Sequence, residues 1–152
     1  MLLAALLGAC GGAEPSPESS AEPSRAAADT DVERYAGELV QLTNETREDE
    51  GLAPLVGSDC AREAALERAT ALVGEDELVH APLGPVIEAC APLTTAAENL
   101  VNSTAVPIDV VDAWLGSPGH RANIVDPDLT EVGVGCVPDG EKFLCSQVFL
   151  GP

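Results

Sequence analysis

The feature that most constrains this chain is a hairpin signal near its C-terminus. Val132-Gly133-Val134-Gly135-Cys136-Val137 and Phe143-Leu144-Cys145-Ser146-Gln147-Val148-Phe149 are two apolar runs separated by Pro138-Asp139-Gly140. Such runs joined by a turn cluster read as paired antiparallel strands. Cys136 and Cys145 flank the turn, which makes this stretch a natural place for a disulfide. A sheet is therefore expected at one end of the chain, and the residues before it must cover its faces.

Those earlier residues read as helices. Val32, Tyr35, Ala36, Leu39, Leu42 and Thr43 recur at helical spacing, Glu45, Glu48, Asp49 and Glu50 form a solvated face, and Gly51 is a stop. Thr30 and Glu33 have capping-box spacing, which starts order near Thr30. A second helix begins at Ser58 or Asp59, places Ala61, Ala65, Ala69 and Leu72 at helical spacing, and closes at Gly74. Its alanines permit close approach of a neighbouring element. From Glu75 to Pro92 the pattern breaks up, with His80 at the start of a loop. Thr94 to Val101 reads as a short strand or a helical turn. Pro107 opens another helix, with Ile108, Val111, Trp114 and Leu115 on its apolar face. Helices first and the clearest strands last, without βαβ alternation, predict an α+β domain with helices packed on an antiparallel sheet.

The stretch Trp114-Leu115-Gly116-Ser117-Pro118-Gly119-His120-Arg121-Ala122-Asn123 carries stop–restart punctuation. Gly116 can supply a left-handed helix end, and Ser117-Pro118 has the form of a cap followed by proline at the first helical position. His120 then falls in the first turn of a new short helix. Trp114, at helical spacing with Val111, reads as core. The cap position accounts for Ser117, and no serine lies in a nucleophile elbow, so no catalytic nucleophile is assigned.

Other features place the chain outside the cell. Met1 to Ala9 is an apolar run too short to span a bilayer, and Leu7-Gly8-Ala9-Cys10 resembles a lipobox whose cysteine is lipidated. The expected organisation is a signal peptide over 1–9, truncated at its basic end, a lipidated Cys10 with a Pro/Ser/Glu-rich tether over 10–29, and one domain over 30–152. Cys60, Cys90, Cys136 and Cys145 remain, an even set with no zinc-knuckle or CxxC spacing. The favoured pairing is Cys136–Cys145, across the hairpin, with Cys60–Cys90. Twenty-six acidic residues against seven basic give a formal charge of −19. That argues against nucleic acid and anionic membrane surfaces as partners, leaves a lipid anchor as the only membrane link, and enriches cations nearby.

Several motifs then occur in a distinctive order. Leu42-Thr43-Asn44-Glu45-Thr46-Arg47 leads to Gly51-Leu52-Ala53-Pro54-Leu55; His80, Ala97-Glu98-Asn99, the Trp114–Ile124 stretch and Glu131-Val132-Gly133-Val134-Gly135 follow. Over residues 35–150 the chain resembles bacterial CAP-superfamily domains, the SCP/PR-1 group. The resemblance implies an α–β–α sandwich with a central antiparallel sheet and a cleft lined by a His/Glu tetrad. By position, His80 and His120 are the histidines and Glu98 the glutamate. The fourth position, glutamate in many eukaryotic members, is Ser117 here.

Two imidazoles and a carboxylate can hold zinc or another divalent cation with water in the fourth place, so His80 and His120 are the candidate metal ligands. Glu98 has a structural alternative, a buried carboxylate that binds backbone N–H groups or Arg121. Asn99 reads as a bracing amide and Arg121 as an ion-pair partner. The expected function is an exported cleft protein that binds a metal, a small molecule, a lipid or an envelope polymer. The alternatives are a zinc-dependent hydrolase with Glu98 as base, and a structural envelope protein with a vestigial cleft.

Overall fold

The computed structural model describes the backbone from Arg25 and the side chains from Asp31 to Pro152. The expected signal peptide, Cys10 and the part of the expected tether before Arg25 lie outside the described residues. Helix α1 (Arg25–Asp49) runs straight through Thr30, so Thr30 and Glu33 are not a helix start. The run Arg25-Ala26-Ala27-Ala28 has high intrinsic helix propensity and extends the helix into the predicted tether. Gly51, at φ +75°, takes the left-handed conformation that lets the chain leave α1.

A two-residue strand, β1 (Val56–Gly57), leads into α2 (Asp59–Ala71), whose first turn is capped by the Ser58 side chain accepting from the Ala61 N–H. A short helix that sequence patterning did not resolve, α3 (Gly84–Ala89), follows the loop bearing His80. Then come β2 (Thr95–Ser103), α4 (Pro107–Leu115), α5 (Pro118–Ile124), β3 (Glu131–Asp139) and β4 (Lys142–Gly151). The predicted hairpin is β3–β4, turning at Gly140 with φ +63°.

The sheet order is β1-β3-β4-β2. β2, β4 and β3 are antiparallel, as expected; β1 pairs parallel to β3 through only Glu131 and Val132, so the sheet is mixed. Side-chain alternation along the strands feeds two cores. On one face Val132, Val134, Cys136 and Phe149 pack against Tyr35 and Leu39 of α1, Val111 and Trp114 of α4, and Ile124 of α5. On the other, Val148 and Leu150 meet Ala61 and Ala65 of α2 and Val86 of α3. The architecture is the expected α–β–α sandwich.

Small residues hold the second interface tight. A Cβ on Gly133 would lie 2.1 Å from the Arg62 nitrogen, and one on Gly135 would lie 2.2 Å from the Leu66 nitrogen. The α2 backbone therefore rests directly on β3. Both predicted disulfides form: Cys60–Cys90 ties the start of α2 to the end of α3, and Cys136–Cys145 joins directly opposed residues of the hairpin. Among the described residues no helix is long and apolar enough to cross a membrane.

Two local expectations are corrected around α4. Its buried side is Pro107, Val110, Val111 and Trp114, whereas Ile108 is 54% exposed. The stripe at i, i+3, i+4 and i+7 counts from the proline and leaves Ile108 outside it. Gly116 has φ −72°, an ordinary right-handed value, so the corner into α5 needs no left-handed residue. Ser117 has extended cap dihedrals, but its hydroxyl makes no capping hydrogen bond.

Candidate functional site

The site is organised by the Glu98-Asn99 pair on β2, an edge strand. Consecutive strand residues face opposite sides, so Glu98 points to the α2 layer and Asn99 to the α4–α5 layer. The Glu98 side chain is only 2% exposed. Arg68, near the end of α2, clasps it with Nε donating to Oε1 at 2.5 Å and Nη2 donating to Oε2 at 2.8 Å. Ser146, on the adjacent strand β4, donates its hydroxyl to Oε1 at 2.7 Å. His80 closes the group, with Nδ1 2.7 Å from Oε2.

Arg68 also orders the loop that carries His80. Its guanidinium donates to the carbonyls of Ala81 and Pro82, so one side chain ties that loop to the carboxylate its histidine contacts. Burial alone would push the Glu98 carboxyl up. Hydrogen bonds from Arg68, His80 and Ser146, reinforced by the Arg68 charge, outweigh burial and hold it below its ordinary 4.5. Glu98 is thus a committed carboxylate.

On the opposite side, Asn99 is fully buried and donates through Nδ2 to Gln147 Oε1 at 3.1 Å, while Gln147 donates to Thr43 Oγ1 on α1. Asn99 Nδ2 also reaches the His120 carbonyl at 3.4 Å. Asn123 on α5 donates to Asn99 Oδ1 and to the Glu98 backbone carbonyl, which seals part of the β2 edge. The helix bearing His120 is thereby fixed to the strand bearing Glu98. Burial first, and repulsion from His80 second, hold the His120 imidazole below its ordinary 6.5. The two histidines therefore feel one another across the β2 edge.

His80 and Glu98 are in direct contact, and His120 is their electrostatic neighbour. Ser117 is half-buried one helical turn from His120, and no hydrogen bond links its hydroxyl to the other three. Trp114 is core, 3% exposed, with Nε1 donating to the Leu100 carbonyl. Arg121 does form an ion pair, but with Glu50 at 2.6 Å on the surface rather than with Glu98. Arg68 takes that role. Sequence reading passed over Arg68, Ser146 and Asn123. The available signal for Arg68 is its scarcity value: an arginine placed among the alanines of α2 in a chain with seven basic residues.

The donor set does not fit a zinc centre with three protein ligands. Among the described residues no group of three or more His, Cys, Asp or Glu side chains is placed to share a metal ion. Both Glu98 oxygens already accept hydrogen bonds, and a guanidinium beside them repels a dication. A cation would find only the free nitrogens of His80 and His120. Glu98 likewise has neither the basicity nor a free lone pair for general-base work.

A family model described as the cysteine-rich secretory protein family, CAP, matches residues 40–149. The chain is 31% identical over 130 residues to the Bacillus subtilis protein YkwD, covering 82% of this chain and 50% of that protein. It thus spans about half the length of this relative. Among solved structures it is similar to an extracellular protein of Bacillus anthracis containing an SCP domain, with a TM-score of 0.75 and 21% identity over 88% of this chain and 45% of that one. It is also similar to an outer surface protein of Borrelia burgdorferi, with a TM-score of 0.70 and 20% identity over 79% of this chain and 94% of that one. These likenesses show the fold.

Proposed function

The chain belongs to the cysteine-rich secretory protein (CAP) family, and on that premise we propose that it is an exported cell-surface module whose cleft at the β2 edge binds a small ligand without turning it over. The observation that carries this reading is the saturation of Glu98. Its carboxylate is consumed in positioning His80, so the group that a hydrolytic mechanism would use as base is occupied in holding the site together. With Nδ1 of His80 on Glu98, the ring turns Nε2 outward, and the side chain is 51% exposed. His120, held neutral, offers a second imidazole. Leu78 and Val79, just before His80, stay 38% and 61% exposed and give the cleft an apolar lip. Two imidazoles beside an apolar rim suit a small amphipathic molecule with a hydrogen-bonding head group.

Two disulfides in the domain, a lipobox-like start, and similar proteins named as extracellular or outer surface support export. Lipidation of Cys10 is proposed on the sequence alone. A mass shift on Cys10 with globomycin-sensitive processing is the expected result, and a mature protein lacking Cys10 refutes the anchor.

A second reading, a divalent cation held by His80 and His120, rests on those two imidazoles and the −19 charge. Zinc titration by calorimetry separates the two. Under the metal reading wild type binds and His80→Ala and His120→Ala both abolish binding. Equal weak uptake in all three leaves the small-ligand cleft. Assays with peptide and ester panels should show no turnover above background; turnover lost in His80→Ala would overturn the binding-module reading.

A further inference from the structure

The opposite edge of the sheet carries a second opening, unrelated to the histidine cleft. A groove of about 970 Å³ runs along β3 from Val132 to Pro138, walled by α1 on one side and α2 on the other. β1 occupies the head of this lane, parallel to β3, but pairs with only two residues before Ser58 turns the chain into α2. The Cα atoms of Cys136 and Cys145 are 4.1 Å apart, the separation of a non-hydrogen-bonded antiparallel pair, so the Cys136 backbone groups point away from β4 and into the groove. Val134, two residues back, points the same way. No hydrogen bond from a described residue reaches either backbone, yet both residues are only 5% exposed. Backbone polar groups in such a recess call for a strand.

The chain that leads into α1 is placed to supply it. Tyr35 meets Phe143, which lies opposite Pro138, while Arg47 near the other end of α1 reaches the Leu129 carbonyl, so α1 runs antiparallel to β3. Its first residue, Arg25, therefore stands beyond the Pro138 end of the groove, about 10 Å past Val32. A segment that passes through the groove and turns back into α1 runs parallel to β3, the direction β1 already has.

We propose that residues 17–21 add a short parallel strand to β3, with Glu18 opposite Gly135 and Ser20 opposite Val137. The N–H groups of Glu18 and Ser20 donate to the carbonyls of Val134 and Cys136, and the Cys136 N–H donates to the Glu18 carbonyl. From Ala21 the chain needs about 13 Å, four extended steps, to return to Arg25. Pro15, Pro17 and Pro23 share one parity, opposite to that of Glu18 and Ser20, so no proline falls where the ladder needs an N–H. They also bias Ser16 and Glu22 toward extended backbone. Val134 and Cys136 pack on the α1 side, so the strand's bonding residues face α2 and its other residues face α1. Pro17, Ser19 and Ala21, small and uncharged, then meet Val32, Ala36 and Val40. Glu18 meets the wall holding Arg62, the one cation among the described lining residues, which is 56% exposed beside Asp59. A second copy presents the same recessed edge, which cannot enter another recess. Docking leaves residues 11–16 between the strand and Cys10, so the slot shortens the domain's reach from its proposed anchor. That consequence rests on lipidation of Cys10; the docking does not.

Amide exchange by ¹⁵N NMR on the full chain tests the register. Glu18, Ser20 and Cys136 should exchange at least about tenfold more slowly than Ser19, the change expected for one hydrogen bond. Glu18→Pro removes a ladder N–H and should abolish protection at Ser20 and Cys136, whereas Ser19→Pro adds a proline of the tolerated parity and should preserve it. Gly37→Trp puts bulk at a groove position where an added Cβ meets nothing within 4 Å, so it should fold normally and release Ser20 and Cys136 to exchange. Equal exchange at Glu18, Ser19 and Ser20 would overturn the proposal. So would Cys136 protection that survives Glu18→Pro, or equal losses in Glu18→Pro and Ser19→Pro. Protection that grows with protein concentration would assign the slot to a second copy and refute it as well.

Discussion

Replacing Arg68 with methionine tests whether Glu98 is held as a carboxylate by its neighbours. The substitution keeps much of the aliphatic bulk and removes both guanidinium bonds to an oxygen pair whose side chain is 2% exposed. Removing one partner of a buried pair costs about 3–5 kcal/mol, because a charge is left without compensation. His80 moderates the loss, since its Nδ1 already contacts Oε2. The expected cost at pH 8 is therefore about 3 kcal/mol, the lower end of that range. For a domain of this size that lowers the melting temperature by roughly 10–15 °C. Urea unfolding at pH 8, with carboxyl-carbon NMR of Glu98, reads the effect. Arg68→Met with Glu98→Gln should recover more than half of the loss. A cost below about 1 kcal/mol at pH 8, the value of an exposed pair, would refute the reasoning. So would a double variant no more stable than Arg68→Met alone.

Three further outcomes follow from the geometry. Gly135→Ala places a methyl against the Leu66 backbone, where no rotamer change gives relief; overpacking should cost about 3 kcal/mol or more, read by denaturant melts, whereas Gly37→Ala, inside α1 with open space at its Cβ, should stabilise by up to about 1 kcal/mol. His120 has a folded pKa below its ordinary 6.5, so the unfolded chain binds the proton first on acidification. Its contribution is full above 6.5 and lost as pH falls toward the folded value; His120→Gln should flatten the stability decline between pH 7 and 5, and a steeper decline would contradict this. Arg47 is 2% exposed and donates to the carbonyls of Ala53, Ile124, Asp126 and Leu129. Arg47→Met orphans those acceptors and should cost about 3 kcal/mol or more by calorimetry, with increased amide exchange across residues 124–129.

Much of this fold was legible because local signals agreed with one another. The β3–β4 hairpin announced itself by composition, turn residues and flanking cysteines together. The α2 alanines foretold close contact, and Gly133 and Gly135 turned out to be what they contact. The limits of α1 were harder, since Thr30 looks like a cap while the helix-favouring run Arg25-Ala26-Ala27-Ala28 carries the helix through it. Ile108 illustrates how one residue of phase separates a correct helix from its correct face. At the site, His80, Glu98 and His120 came together by family resemblance, not by spacing. Arg68 and Ser146 escaped because their roles depend on which strands become neighbours. Ser146 meets Glu98 across 48 positions of sequence, a proximity created by the β2–β4 register alone.

That register has one more consequence. Glu98 and Asn99 are adjacent along the chain yet serve opposite layers, so the two halves of the sandwich share a single parity on β2. Deleting one residue before Glu98 would bring the Asn99 amide against Arg68, and inserting one would bring the Glu98 carboxylate against Gln147. Natural length variation in this fold should therefore collect in loops such as 72–83, and the strand should tolerate substitution far better than any change in its count.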